Sequence, residues 1–149
     1  MIVMKMDTAI GDLNVCKDAA NQFYKTAQKC EGDNLNEYFM IGFYPYVVNI
    51  AFACELYMKA IMIYRSPQRE FYKGHDLCSL FSRLETADKQ YIEEKFNEKN
   101  PAKNLTAFLT ENGNSFVEWR YALEQPVKVN LTGFQKLSKI LKDYVDSLK

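Results

Sequence analysis

The chain is poor in the residues that most enzyme sites need. Its 149 residues include one histidine, one tryptophan, four prolines and six glycines. With His75 alone, any acid–base step that requires imidazole has one such group per subunit, unless two subunits share a site. The four cysteines, Cys16, Cys30, Cys54 and Cys78, are far apart and form no CxxC pair. That spacing argues against a zinc site or a redox motif and for reduced thiols, so no metal is expected. Charge of one sign is also missing, because 19 basic residues face 19 acidic ones. No global field would draw the chain to nucleic acid or to an anionic membrane, and any RNA contact has to be local. GxGxxG, P-loop, GxSxG and HExxH motifs are all absent, and no cofactor is implied. Long hydrophobic runs are missing too. The longest uncharged stretch, 38–54, is interrupted by Gly42, Pro45 and Asn49, whereas a spanning helix needs about 20 predominantly apolar residues. The opening MIVMKMDTAIGD meets Lys5 and Asp7 before an apolar region can form, which is unlike a secretory signal. These absences lead us to expect a cytosolic protein with no membrane partner.

What is present is aromatic and helical. Ten Tyr and ten Phe need a core or an interface to bury them. The length suits one domain over 1–149. The organising stretch is 44–65, YPYVVNIAFACELYMKAIMIYR. Read at 100° per residue, Val47, Ile50, Cys54, Met58 and Ile61 fill one arc, and Phe52, Leu56, Ala60 and Ile63 fill the opposite one. A helix apolar all round belongs at the centre of a bundle, here about 45–65. Before it, apolar residues from Ile10 to Ala27 recur at three and four, predicting a helix from about Asp7 to Lys29 with Asp7 or Thr8 as cap. After it, Ser66-Pro67 ends the helix and a loop runs to Gly74. His75 or Asp76 then caps a short helix through Leu77, Leu80, Phe81 and Leu84. Thr86 or Asp88 starts another that carries Tyr91, Ile92 and Phe96 inward and Glu93-Glu94-Lys95 to solvent. A stripe at Leu105, Phe108 and Leu109 is interrupted at Asn112-Gly113-Asn114 and resumes in FVEWRYALE, which ends at Gln125-Pro126. Asn130 or Thr132 caps a last helix with Phe134, Leu137, Leu141 and Val145 inward. No strand alternates and no repeat appears, so the expected class is all-α, a bundle of five or six helices around the buried central one.

Two charged pairs stand out. Glu55 and Lys59 lie four apart inside the central helix, acid first, the favourable order on one face. Arg120 and Glu124 have the same spacing later on. A polar network or a ligand-binding set made of Glu55, Lys59, Arg120 and Glu124 is the consequence, because charges inside a bundle have to be paired.

Three strings in this order, AFACELYMKAIMI, KGHDLCSLFSRL and FVEWRYALE, make the chain resemble the HEPN domain family over roughly residues 44–124. The resemblance implies a helical bundle that commonly dimerises, in prokaryotic toxin-antitoxin or phage-defence systems, often beside a small nucleotidyltransferase as partner protein. It further implies, for many members, a metal-independent ribonuclease built on an arginine, four to six residues, and a histidine, paired across a dimer cleft. In such a site imidazole moves the proton of a ribose 2′-hydroxyl while guanidinium holds the phosphate. Arg120 stands where the family motif usually lies, but Gln125, Pro126 and Val127 follow at the histidine spacing. Only Arg69 and His75 fit by spacing, with five residues between them, in the loop before the third helix. The leading reading is therefore a non-catalytic HEPN-like module, a homodimer binding RNA, a nucleotide or a partner protein. Its rivals are a ribonuclease using Arg69 and His75 from two subunits, and a structural helical scaffold without a ligand.

Overall fold

The computed structural model describes residues 7–31, 43–98, 104–120 and 129–148. The aromatic connector before Phe43, the breaks at Asn100-Pro101 and Gln125-Pro126, and Glu124 lie outside them. Within the described residues the chain is an all-α bundle. Its helices are α1 (Leu13–Cys30), α2 (Phe43–Arg65), α3 (Leu77–Ser82), α4 (Thr86–Asn97), α5 (Leu105–Asn112), α6 (Ser115–Arg120) and α7 (Leu131–Ser147). The interrupted stripe resolves into two short helices, α5 and α6, separated by Gly113-Asn114.

α2 runs through the centre and packs against α1, α7, α6 and α3. Buried positions ring it as its sequence requires, from Val47, Ile50, Cys54 and Met58 on one arc to Ala60 and Ile63 on the other. Phe52 and Leu56 are only half-buried, because α6 and α1 cover that side incompletely. By length and composition α2 is apolar enough to cross a membrane, and 72% of its most apolar window is buried inside the bundle. The outer helices show one buried face each. Ala20, Tyr24 and Ala27 represent α1, and Phe134, Leu137, Leu141 and Val145 represent α7. Asn130 caps α7 by accepting a hydrogen bond from the Gly133 amide at 2.8 Å, which satisfies one of the orphan donors of the first turn.

Three expectations need correction. α1 starts at Leu13 with Asp12 as its cap, not at Asp7 or Thr8, because Thr8–Ile10 forms a strand, β1. The loop after α2 contains its partner, β2 (Glu70–Tyr72), antiparallel with Thr8 opposite Tyr72 and Ile10 opposite Glu70. Three residues are too few for period-two alternation to show in the sequence. Gly11 lets this ribbon lie close to the bundle, since a Cβ there would stand 2.7 Å from Ile63 Cδ1. Finally, Tyr91 is exposed, not inward. Its ring stacks on Tyr144 of α7 with centroids 4.6 Å apart.

Candidate functional site

The ribbon and the helices around it fix the segment that carries the only histidine. Lys73 donates its amide to Asp7 O at 2.9 Å, and Leu77 donates to Gly113 O at 2.8 Å. Asp76 caps α3 by accepting from the Cys78 amide at 2.9 Å. Residues 73–77 are thus held by the ribbon at one end and by the α5–α6 corner at the other. Gly113 is required at that corner, where a Cβ would fall on Asp76 Oδ1 and on the Leu109 carbonyl.

His75 is held in between against the side of α2. Its Nδ1 lies 3.0 Å from Glu55 Oε2, and the same oxygen accepts from Lys59 Nζ at 2.9 Å. Glu55 is 0% exposed and Lys59 6%, while the His75 side chain is 51% exposed. A buried carboxylate neutralised by an ammonium therefore presents a surface imidazole. Because a carboxylate only accepts, a ring hydrogen belongs on Nδ1, and Nε2 is the nitrogen left for another partner. Lys59 Nζ also reaches Lys73 O at 3.5 Å and stands 5.6 Å from the centroid of the Phe71 ring. One lysine thereby ties α2 to the segment carrying His75.

The surroundings are aromatic. The His75 ring lies 5.9 Å from that of Phe116, which stacks on Phe52 at 4.4 Å, and Phe23 meets Phe52 edge-on at 4.6 Å. Cys16 closes the other side of the pair, donating from Sγ to Leu56 O at 3.2 Å. Burial pushes its thiol up to about 11, an effect opposed by Lys59 and reinforced by Glu55. Among the described residues, Glu55 Oε1 and Ser115 Oγ are buried without a hydrogen-bond partner.

The i, i+4 pair Glu55–Lys59 and His75 thus come together, and Arg69 does not join them. Arg69 stands at the exposed turn before β2 with a positive φ of 61°, its amide on Ser66 O at 3.1 Å. The whole of β2 separates it from His75, and no hydrogen bond or ion pair links the two. Arg120 closes α6, with its side chain outside the described residues, as is all of Glu124. No group of three or more His, Cys, Asp or Glu side chains able to hold a metal occurs among the described residues.

Sequence reasoning missed a second polar centre. Asp88, read as a possible helix start, is fully buried. It accepts from Arg65 Nε at 3.1 Å and from the second guanidinium nitrogen at 2.8 Å. Tyr144 Oη donates to it as well, so one carboxylate joins α2, α4 and α7. The hydrogen bond from Arg65 to Asp88 is the main cause that raises the Arg65 pKa, and burial, followed by Asp88, raises that of Tyr144. A cleft of about 350 Å³ lies alongside, lined among others by Arg65, Glu70, Tyr72, Arg83, Glu85 and Asp88. It includes none of Glu55, Lys59 and His75. Only the spacing of Asp88 inside a helix hinted at burial, four residues before Ile92 on the same face.

Compared with family models, curated proteins and solved structures, the chain matches none. The chemistry of the site rests on its own geometry.

Proposed function

We propose that this chain is a HEPN-like, cytosolic helical module whose Glu55–Lys59–His75 cluster engages RNA or a nucleotide, as a homodimer, in a toxin-antitoxin or phage-defence setting. The observation that supports this reading most is the contact between the fully buried Glu55 carboxylate and the half-exposed imidazole of His75. A structural histidine gains little from an anchor that costs the burial of a charge, whereas a ligand-binding one gains a fixed orientation. Arg120, one helical turn beyond Phe116, belongs to the same proposed set with Glu124, and a nucleotidyltransferase-type protein is the proposed protein partner. Anisotropy titration of labelled mixed-sequence RNA and of nucleotides tests the reading. Binding that is lost in His75→Ala with the helical spectrum intact supports it, and no binding by the folded wild-type chain removes the RNA and nucleotide assignment. Light scattering on the eluting protein tests the dimer, and a strict monomer at micromolar concentration refutes it.

The second reading is a metal-independent ribonuclease with Arg69 and His75 supplied by different subunits. It draws on the same contact, since an imidazole held through Nδ1 with Nε2 free has the orientation of a general base. Cleavage of RNA in chelator, abolished in both His75→Ala and Arg69→Ala, is its required result. Cleavage that survives Arg69→Ala removes the two-residue site.

A further inference from the structure

The contact between Glu55 and His75 has a chemistry of its own, independent of RNA. Among the described residues no hydroxyl or thiol is bonded to His75, whose one polar side-chain contact is Glu55 Oε2 at 3.0 Å. Where an imidazole has a serine or cysteine beside it, it acts by taking that group's proton. Here no such partner is bonded to the ring, and the nucleophile that the carboxylate contact serves is Nε2 itself. The buried carboxylate behind Nδ1–H makes Nε2 a stronger electron-pair donor, and it stabilises the positive charge that develops on the ring when Nε2 forms a bond. Lys59, 2.9 Å from the same oxygen, holds that carboxylate in place. The His75 side chain is half exposed.

We propose that His75 is a covalent acceptor of a phosphoryl group. In the step, the Nε2 lone pair attacks the phosphorus of a phosphoryl donor, either a nucleoside triphosphate or a small phosphoramidate. An N–P bond forms, the bond from phosphorus to the leaving group breaks, and the leaving group departs with its electron pair. The Nδ1 proton stays shared with Glu55, and no redox change occurs. Hydrolysis of the N–P bond by water returns the imidazole and releases phosphate. In this arrangement Glu55 is a positioning residue, and so is Lys59.

The test uses the full chain and potassium phosphoramidate, with uptake followed by intact mass and by phosphorus NMR. The expected result is one phosphoryl group per chain, lost in mild acid, stable in base and absent from His75→Ala. The folded chain should react at least about tenfold faster than the same chain unfolded in urea, as a preorganised base or nucleophile requires. That comparison needs no variant, so it stands even where Glu55→Gln fails to fold. Where Glu55→Gln does fold, it should react at the unfolded-chain rate. Equal rates for folded and unfolded chains overturn the proposal, and so does a phosphoryl group that persists in His75→Ala. RNA binding is measured separately, so each proposal fails on its own result.

Discussion

Asp88 is the residue on which most depends. Its carboxylate is fully buried and is matched by a guanidinium that keeps a third of its side-chain surface in solvent. Asp88→Asn would leave Arg65 with only the exposed Glu85, 3.9 Å away, as counter-charge at the junction of three elements. Removing one partner of such a pair costs about 3 kcal/mol, to be read as a lower urea midpoint with unchanged slope. Cys16 sets a different limit. Its thiol has an ordinary value of 9.0 and is pushed up to about 11 in the fold, so the unfolded chain gives up this proton first. The stabilisation is complete below pH 9 and is lost as pH rises toward 11. Tyr24 and Tyr144, both raised chiefly by burial, add to the same alkaline loss. Thermal melts from pH 8 to 11 should therefore fall steadily, and Cys16→Ala should fall less between 9 and 11. An equal slope for both proteins would refute the assignment to Cys16.

At the scale of the element, the α2–β2 turn is under strain and the helices are not. Arg69 holds a left-handed φ of 61° that costs a residue with a Cβ about 1 kcal/mol or more. Arg69→Gly should raise stability by about 0.5 kcal/mol after the entropy of the freed chain is paid, whereas Arg69→Ala keeps the strain and should be close to neutral. The α5–α6 corner responds in the opposite sense. Gly113→Ala puts a methyl group on Asp76 Oδ1 and should cost about 1–3 kcal/mol by chemical denaturation, with loss of the cap of α3. Helices of this kind are legible beforehand because period, caps and breakers all lie within a few residues of one another. α2 reads from Val47, Ile50, Cys54 and Met58 alone, and α7 from Asn130 and the stripe that follows. The ribbon is not legible, since its pairing joins Thr8 to Tyr72 and neither strand is long enough to show a period.

At the scale of the molecule, the candidate site follows the same division. Glu55 and Lys59 show their pairing in the sequence because four residues bring them to one helix face. Their meeting with His75 depends on a loop that returns across α2, and no spacing rule contains that return. Nor does any local pattern join Arg65, Asp88 and Tyr144, which come from three helices. The spacing that singled out Arg69 with His75 described distance along the chain, and β2 spends that distance on leading the two apart. With no net charge the chain sets up no overall field of one sign, so the RNA or nucleotide binding proposed at His75 should depend on salt only weakly. Affinity measured at 50 and 200 mM salt should differ by no more than about tenfold, against the about 10³–10⁵ of a protein that neutralises six or more phosphates.

The β1–β2 ribbon has a practical side. The amide of Lys73 hangs on the carbonyl of Asp7, and Gly11 on that of Arg69, so the loop bearing His75 answers to a stretch more than sixty positions earlier. Trimming the chain back to Asp12 would spare every helix and most of the core. The shortened protein should keep its circular dichroism and most of its cooperativity, yet release the segment in front of His75 to solvent exchange. An expression design that treats the leading residues as dispensable would yield a well-behaved bundle with a misplaced imidazole, and inactivity in such a preparation would say nothing about the intact chain.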